Sequence, residues 1–172
     1  MEQITAAAMS GGVDSTAAAL LLLRGGHTVE GVTLRLAPCG QDGAEDARAA
    51  ARALNIPHHL FDLTGPFQAQ VVEPFVRAYE MGRTPNPCVE CNRRIKFGAL
   101  LELARERGWA RVATGHYARL DLDAGSGRWL LKKAARPDKD QSYVLAMLTQ
   151  EQLSRSRFPL GGLSKEEVRA IA

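Results

Sequence analysis

The sequence has 172 residues, 45% of them hydrophobic and 24% charged, and its formal net charge is +3. This composition is typical of one globular domain in water and argues against a disordered chain. No apolar run approaches the roughly 20 residues that cross a bilayer, and the first residues lack the basic and apolar regions of a signal peptide. We therefore predict a cytoplasmic protein that has no membrane partner.

The charge is unevenly distributed along the chain. Residues 81–139 contain 13 Lys or Arg against 6 Asp or Glu, whereas residues 1–80 contain 5 against 9. The middle segment therefore has a net charge of +7, which indicates a polyanionic partner. The alternative is a set of scattered, solvated charges on an ordinary surface.

Short strands alternate with helices over the first two thirds of the sequence. Residues 4–8 are apolar and precede two glycines, which predicts a buried strand, and residues 14–23 have the Ala and Leu content of a helix. The next predictions, in chain order, are a strand over 27–36, a helix around 47–54, a strand over 58–63, a helix over 67–79, a Pro-rich loop over 82–92, a helix over 95–107 and a strand over 110–114.

This alternation predicts an α/β fold with a doubly wound, mostly parallel sheet that has helices on both faces. A hairpin over residues 117–133 and a helical C-terminal tail follow. We divide the chain into a first domain, residues 1–135, and a helical segment, residues 136–172.

Ligands of such sheets bind beyond the carboxyl ends of the strands. Four stretches are predicted to share that edge: residues 10–15, residues 34–39, the stretch after Asp62, and residues 114–116. We therefore expect the functional site there.

The stretch MSGGVDST, residues 9–16, stands where the first strand becomes the first helix. Its glycines permit a tight turn and let backbone N–H groups approach an anion, to which the helix adds the positive end of its dipole. The nucleotide loop that ends in Gly-Lys-Ser/Thr is excluded because no lysine is present. Ser10 and Ser15 offer hydroxyls, and the Asp14 carboxylate can hold Mg²⁺. The alternative is an ordinary glycine turn with a capping residue.

The stretch GRTPNPCVECNRRIKF, residues 82–97, contains two of the three cysteines. Cys88 and Cys91 have the spacing of a metal-binding or redox pair, and nearby Arg and Lys residues favour the thiolate form. A structural zinc site is one alternative, although a closed site needs four ligands. An iron–sulfur cluster is another, with Cys39 as a third ligand and one iron left open to hold a sulfide.

SGGVDS in this position resembles the pyrophosphate loop of the N-type ATP pyrophosphatases. Four further stretches resemble the tRNA-specific 2-thiouridylases in order and spacing, over about residues 8–172: EDARAAARALNIPHHLFDL, GRTPNPCVECNRRIKFGALLELA, ATGHYARL and KDQSYVLAML. The resemblance implies an ATP-dependent 2-thiolation of the wobble uridine of tRNA. Uracil O2 is adenylated, and sulfur then comes from a cysteine persulfide or a cluster-held sulfide. The implied partners are tRNA and a sulfur-donor protein.

The resemblance also implies roles for individual residues. Cys91 matches the nucleophile, and Cys88 and Asp14 are further catalytic candidates. The implied ATP-binding residues are Ala8, Met9, Ser10, Gly11, Gly12, Val13, Asp14, Ser15, Leu34 and Gly115. The implied tRNA-binding residues are Asn86, Pro87, Cys88, His116, Lys139, Asp140 and Gln141.

Each of these assignments has a structural alternative. His116 alone is compatible with a core histidine, Leu34 with an ordinary core residue, and residues 139–141 with a polar helix start. Residues 1–135 would form the ATP-pyrophosphatase domain, and residues 136–172 the start of a tRNA-binding region.

The second catalytic cysteine of the family, the persulfide carrier, has no counterpart here. The chain also stops inside a helix that starts with a capping box at Ser164 and Glu167, which indicates a fragment. Cys39 is the other candidate thiol, and its alternative is a chance surface cysteine. We therefore expect a chain that binds ATP but is weak or inactive in complete thiolation.

Two other functions are compatible with parts of the sequence. An ATP-dependent amidotransferase needs the loop but has no use for the CxxC stretch or the basic segment. The other function is a tRNA-binding module that carries a metal or a cluster. The cysteines would bind the metal or cluster, and the ATP loop would be vestigial.

Overall fold

The computed structural model describes residues 3–37 and 43–172, so Cys39 lies outside the described residues. The strands are β1 (Ile4–Ala8), β2 (Thr28–Arg35), β3 (His58–Asp62), β4 (Arg111–Ala113), β5 (Ala118–Leu122), β6 (Trp129–Lys133) and β7 (Ser156–Arg157). The α-helices are α1 (Val13–Arg24), α2 (Ala44–Ala53), α3 (Thr64–Phe67), α4 (Glu73–Glu80), α5 (Pro87–Cys91), α6 (Leu100–Glu106), α7 (Gln150–Ser154) and α8 (Lys165–Ile171).

Several shorter helical segments complete the backbone. π-Helical turns over Gln68–Val72 and Asn92–Ala99 join α3 to α4 and α5 to α6. Two 3₁₀ turns, Pro137–Lys139 and Ser142–Leu145, follow the hairpin of β5 and β6.

The main sheet has five parallel strands in the order β3-β2-β1-β4-β7, which confirms the predicted α/β class. Its central strand β1 is covered on both faces. Ala6 packs in a cluster with Val32 and Phe97, whereas the next residue, Ala7, packs with Ala19 of α1. Successive residues of a strand point to opposite faces, so small apolar side chains in β1 let helices pack closely on both sides.

The chain changes direction at β1. It runs outward through β2 to β3 and then returns to place β4 on the other side of β1. Loops leaving adjacent strands in opposite directions open a crevice at the carboxyl edge. The crevice between β1 and β4 is therefore where this topology can hold a ligand.

The prediction of a loop over residues 82–92 holds only as far as residue 86, because α5 begins at Pro87. Asn86 caps α5 by accepting a hydrogen bond from the Cys88 N–H, at 3.0 Å, and Pro87 occupies the first helical position. Proline is tolerated there because its missing N–H would have no partner inside the helix. The Pro-rich composition indicated a loop, although one of its prolines, Pro87, begins a helix.

The C-terminal segment is helical in part, but it also supplies β7, which pairs with β4. A strand of two residues is too short to show any periodicity. Helix α8 packs on α1, where the fully buried Val168 lies in a cluster with Ala17 and Ala18. The division at residue 135 stays a prediction, and the segment after it shares the sheet and core of the segment before it. Within the described ranges, no helix has the length and apolar character needed to cross a membrane.

Candidate functional site

A cavity of about 440 Å³ lies at the carboxyl edge of the sheet. Its walls come from the β1–α1 loop, the end of β2, the stretch after β4, the cysteine-bearing helical stretch and the turn after the hairpin. The lining residues are Ala8, Met9, Ser10, Asp14, Ser15, Val32, Thr33, Leu34, Leu36, Ala37, Lys96, Thr114, Gly115, His116 and Gln141. A second cavity, of about 540 Å³, lies beside the hairpin and is lined by none of the predicted site residues.

The cavity brings together three of the four stretches expected at this edge. The stretch after Asp62 does not line it, because β3 is the outermost strand and lies two strands away from the crevice. Gly11 and Gly12 lie in the loop between β1 and α1, and Val13 is the first residue of α1; none of the three lines the cavity.

The loop at residues 9–15 is shaped by one glycine conformation and one hydroxyl. Gly11 has φ +78°, and a Cβ there would lie 2.7 Å from the Gly43 carbonyl oxygen. The Ser15 hydroxyl donates to the Gly12 carbonyl (2.9 Å) and accepts from the Ser10 N–H (3.2 Å). Ser15 therefore holds the loop in shape, while the exposed Ser10 is the hydroxyl that a ligand can reach.

Gly115 allows the end of β4 to approach the first turn of α1. A Cβ at this position would lie 3.0 Å from the Asp14 carbonyl carbon and 3.0 Å from the Ser15 nitrogen. Any side chain would push the two walls of the crevice apart. The glycine therefore has a packing role in addition to the predicted ATP contact.

The end of β2 forms the apolar wall of the cavity, which includes Leu34. Thr33 fastens this wall to the loop by donating a hydrogen bond to the Met9 carbonyl at 2.8 Å. The Thr33 hydroxyl also lies 2.9 Å from His58 Nε2. Burial, with the charge of Arg48 and the neighbouring His59, lowers the pKa of His58. A neutral His58 can thus donate to Thr33 and keep its hydroxyl aimed at Met9.

His116 presents a neutral imidazole at the cavity. Its Nδ1 lies 2.8 Å from the Thr114 hydroxyl, and its ring packs near Phe97 and Phe158, with centroid distances of 6.1 and 6.2 Å. Burial and the nearby charge of Lys96 lower the pKa of His116 to about 3. It can act as a hydrogen-bonding group at neutral pH, but not as a cation.

The two cysteines lie on α5, outside the cavity lining. Their i, i+3 spacing puts them on one face of the helix, with Cys88 exposed and Cys91 partly buried. Burial raises the pKa of the Cys91 thiol, Lys96 acts to lower it, and Cys88 adds to the rise.

Of the cations expected to favour the thiolate, Arg93, Arg94 and Lys96, the two arginines are paired with a carboxylate. Arg94 Nε lies 2.6 Å from Glu90, and Arg93 is within 4.0 Å of the same carboxylate. Glu90 thus offsets their charge, and Lys96 is the cation that favours the Cys91 thiolate.

Lys96 links the cysteine helix to the cavity, and the sequence-based prediction did not place it there. It lines the cavity, and its charge acts on both Cys91 and His116. A π-helical turn spaces its backbone hydrogen bonds five residues apart, which brings Lys96 one turn beyond Cys91. The sequence shows no signal for a π-helix, and an α-helical prediction puts these two residues on different faces.

Asp14 has partners that were not expected from the sequence. Its Oδ1 accepts from the Lys165 ammonium of α8 at 2.5 Å and from the Tyr117 hydroxyl at 3.0 Å. Burial and this hydrogen bond raise the pKa of Tyr117 well above its usual value. Asp14 lines the cavity, and one carboxylate together with phosphate oxygens is the donor set that Mg²⁺ commonly uses. The residues therefore fit a magnesium ion held jointly by Asp14 and a bound phosphate.

The residues of the KDQ stretch have separate positions. Gln141 lines the cavity, and its Oε1 accepts from the Tyr117 N–H at 3.1 Å. The Asp140 carboxylate accepts hydrogen bonds from the N–H groups of Ala134 and Ser142. Burial acts to raise the pKa of Asp140, but these hydrogen bonds outweigh burial and lower the pKa. Lys139 lies outside the lining and is 3.9 Å from Asp138.

Over residues 3–37 and 43–172, no group of three or more His, Cys, Asp or Glu side chains is arranged to hold a metal ion. Cys88 and Cys91 therefore supply two thiol ligands and no third. The described donor set does not fit a closed zinc site or an iron–sulfur cluster, and Cys39, the suggested third ligand, lies outside the described residues.

Comparison with known proteins agrees with this arrangement. The sequence model of a family described as "tRNA methyl transferase HUP domain" matches residues 3–172. This chain belongs to that family. The HUP-domain assignment agrees with the parallel sheet and with the ligand cavity at its carboxyl edge.

Curated relatives named tRNA-specific 2-thiouridylase MnmA confirm the resemblance noted in the sequence. The protein of Syntrophomonas wolfei is 52% identical over 95% of this chain, that of Treponema denticola 49% over 95%, and that of Heliobacterium modesticaldum 46% over 100%. These matches cover 47–48% of the relatives. The chain thus spans about half the length of the curated relatives it matches.

A solved structure supports the fold of this HUP-domain protein. It is a predicted subunit of a tRNA methyltransferase from Methanocaldococcus jannaschii, with a TM-score of 0.61 and 15% identity. The match covers 99% of this chain and 75% of that one.

Proposed function

We propose that this chain is the ATP-binding and thiol-bearing part of a tRNA-uridine 2-sulfurtransferase, which converts the wobble uridine of tRNA to 2-thiouridine. One observation carries the proposal. Lys96 lines the same cavity as Ser10, Asp14 and Ser15, and its charge acts on the thiol of Cys91, which supports a nucleotide site next to the predicted nucleophile.

The first step is the activation of uracil. Its O2 attacks the α-phosphorus of ATP, an O–P bond forms, and pyrophosphate leaves. The loop at residues 9–15 and the amino-terminal end of α1 would hold the phosphates, with Leu34 in the wall of the adenine side. Asp14 would hold Mg²⁺, which offsets phosphate charge when it is bound.

The second step replaces oxygen by sulfur. A sulfur nucleophile adds at C2, and the C2–O2 bond breaks as AMP leaves, which is a far better leaving group than oxide. The added sulfur would be the terminal sulfur of a cysteine persulfide on the sulfur-donor protein. Cys91 would then attack the inner sulfur of that persulfide, so that the S–S bond breaks, a disulfide forms between Cys91 and the donor cysteine, and the terminal sulfur stays on C2. The thiolate form of Cys91 is the reactive one. Lys96 favours that form from the cavity wall, while neutral His116 can donate a hydrogen bond to the tRNA or the substrate.

The proposed partners follow from charge and chemistry. The +7 segment, residues 81–139, would attract tRNA, with Asn86, Pro87 and Cys88 near the target base. A sulfur-donor protein would bring the persulfide. A cluster-held sulfide would need thiol ligands beyond Cys88 and Cys91, and we derive no step through it.

The family description names methyl transfer, whereas the curated relatives are named for thiolation. The site favours thiolation. A methyl transfer has no need for two thiols on one helix face beside a loop that can cradle phosphates.

Transfer of label from [α-³²P]ATP to a tRNA transcript, together with pyrophosphate release, tests the proposal directly. We expect tRNA-dependent release and a labelled adenylate in the wild type. Asp14→Ala should abolish both. Cys91→Ser should retain adenylation and lose whatever thiolation the wild type shows when a persulfide donor is added.

The same assay separates the competing functions. Pyrophosphate release that requires a small carboxylic acid and ammonia instead of tRNA would identify an amidotransferase. tRNA binding without any pyrophosphate release would identify a binding module and refute the proposed enzyme.

A further inference from the structure

The glycine loop lacks the lysine that phosphate-binding loops commonly use, and we infer that Lys165 of α8 supplies this cation to the pyrophosphate moiety of ATP. Lys165 is 151 residues away from Asp14 in the sequence, yet its ammonium lies 2.5 Å from the Asp14 carboxylate at the cavity wall. The inference rests on the proposed function, because it assumes that ATP occupies the cavity.

The position of Lys165 is set by the fold. Ser164 and Glu167 form a reciprocal capping box, with Ser164 N–H to Glu167 Oε2 at 2.7 Å and Glu167 N–H to Ser164 Oγ at 3.2 Å. Val168, one turn later, is fully buried against Ala17 and Ala18 of α1. The start of α8 is therefore held against the helix that follows the phosphate loop.

The environment of the pair suits an anionic ligand. The Lys165 side chain is 25% exposed and that of Asp14 is 35% exposed, so both can meet a ligand while partly shielded from water. An ammonium has three N–H donors, and Asp14 accepts one of them, which leaves two for phosphate oxygens. Without Lys165 or a bound cation, the Asp14 carboxylate would repel the phosphates at the cavity.

Asp14 would also orient the cation. Its Oδ1 accepts from both Lys165 and Tyr117, and Tyr117 is 3% exposed. The carboxylate is thus fixed from two sides, and it fixes the ammonium in turn. Lys165 acts on the phosphate end of the ligand, because it lies beside Asp14 at the start of α1, whereas the end of β2 forms the wall that we propose for adenine.

Isothermal titration of the 172-residue chain with ATP and with AMP tests this role, since AMP lacks the pyrophosphate moiety. We expect Lys165→Met to weaken ATP binding at least tenfold in the presence of Mg²⁺ and to change AMP binding less than twofold. Lys165→Arg should retain most of the ATP affinity. The matched control is Lys132→Met, which removes a lysine paired with Asp121 at the same 2.5 Å on the hairpin, and it should change neither affinity.

The outcomes are distinguishable. If the wild type binds no ATP, the proposed function fails. If the wild type binds ATP and Lys165→Met binds it equally well, or loses ATP and AMP alike, the inference fails while ATP binding stands. Should Lys165→Met not fold, acetylation of wild-type Lys165 followed by mass spectrometry decides: ATP must protect this lysine and AMP must not.

Discussion

Gly11 shows how much of the site depends on single residues. It combines a left-handed backbone conformation with a close approach to the Gly43 carbonyl oxygen and to Asp46, each 2.7 Å from the position of a Cβ. Gly108 has a similar φ, +71°, but open space around the position of a Cβ. Comparing an alanine substitution at the two positions therefore separates the effect of backbone strain from the effect of a steric clash.

We expect Gly11→Ala to lower the free energy of unfolding by clearly more than Gly108→Ala. The second change adds only the strain of a left-handed non-glycine residue, roughly 1–2 kcal/mol. The first also displaces the start of α2 from the loop. Urea unfolding measures both variants, and equal losses would contradict the close contact at Gly11.

The reactivity of Cys91 tests the electrostatics of the thiol. Burial raises its pKa and Lys96 opposes the rise, so less thiolate is present at neutral pH than for a free cysteine. In a Cys88→Ser background, we expect iodoacetamide alkylation of Cys91 to reach half its maximal rate at a higher pH than alkylation of a free cysteine. Lys96→Met should move this midpoint higher.

Arg94→Met is the matched control, because Glu90 already offsets the Arg94 charge. It should leave the alkylation midpoint near that of the parent. An equal effect of the two substitutions would show that Lys96 has no special access to the thiol.

The helical stretch from α5 to α6 connects thiol and cavity, and its π-helical middle depends on a distant residue. The Gln152 amide of α7 donates to the carbonyls of Phe97 (2.7 Å) and Arg93 (3.1 Å). Both carbonyls lie in the π-helical stretch, so Gln152 ties α7 to it. The same side chain accepts from the Thr149 N–H and completes the capping box of α7.

Gln152→Glu keeps the capping acceptor and removes the two donors, so we expect a loss of roughly 1–3 kcal/mol in the free energy of unfolding. The alkylation rate of Cys91 should change as well, because the turn that positions Lys96 is altered. Gln150→Glu is the matched control: Gln150 bonds both backbone groups of Trp129, so this variant should lose stability with Cys91 reactivity unchanged.

The whole molecule is held together by buried clusters on both faces of the sheet, and His116 lies where several elements meet. Phe97, Phe158 and Thr114 surround its ring, so the folded protein resists protonating it. The unfolded chain binds a proton near the ordinary pKa of 6.5, and the folded chain does so only near 3. Stability is thus highest above pH 6.5 and is lost as the pH falls toward 3.

For this reason we expect the wild type to lose about 2 kcal/mol more stability than His116→Asn between pH 7 and pH 5. Urea unfolding at several pH values gives, for each protein, the slope of the free energy of unfolding against pH. Parallel slopes for wild type and His116→Asn would contradict a depressed pKa at this residue.

The parallel sheet, the glycine loop and the cysteine pair follow from the sequence, because each depends on a local pattern: apolar runs bounded by glycines, a turn before a helix, a CxxC spacing. The start of α5 was concealed by a proline whose role depends on helix position. The two-residue strand β7 was missed, because it exists only through pairing with β4.

Only the tertiary structure decided which residues complete the site. Lys96 reaches the cavity through a π-helical turn supported by Gln152, 55 residues from Phe97, and Lys165 reaches Asp14 across 151 residues. Such contacts arise from packing of elements that are far apart in the chain, and periodicity carries no information about them. The sequence determines which groups are available, and the fold determines which of them meet.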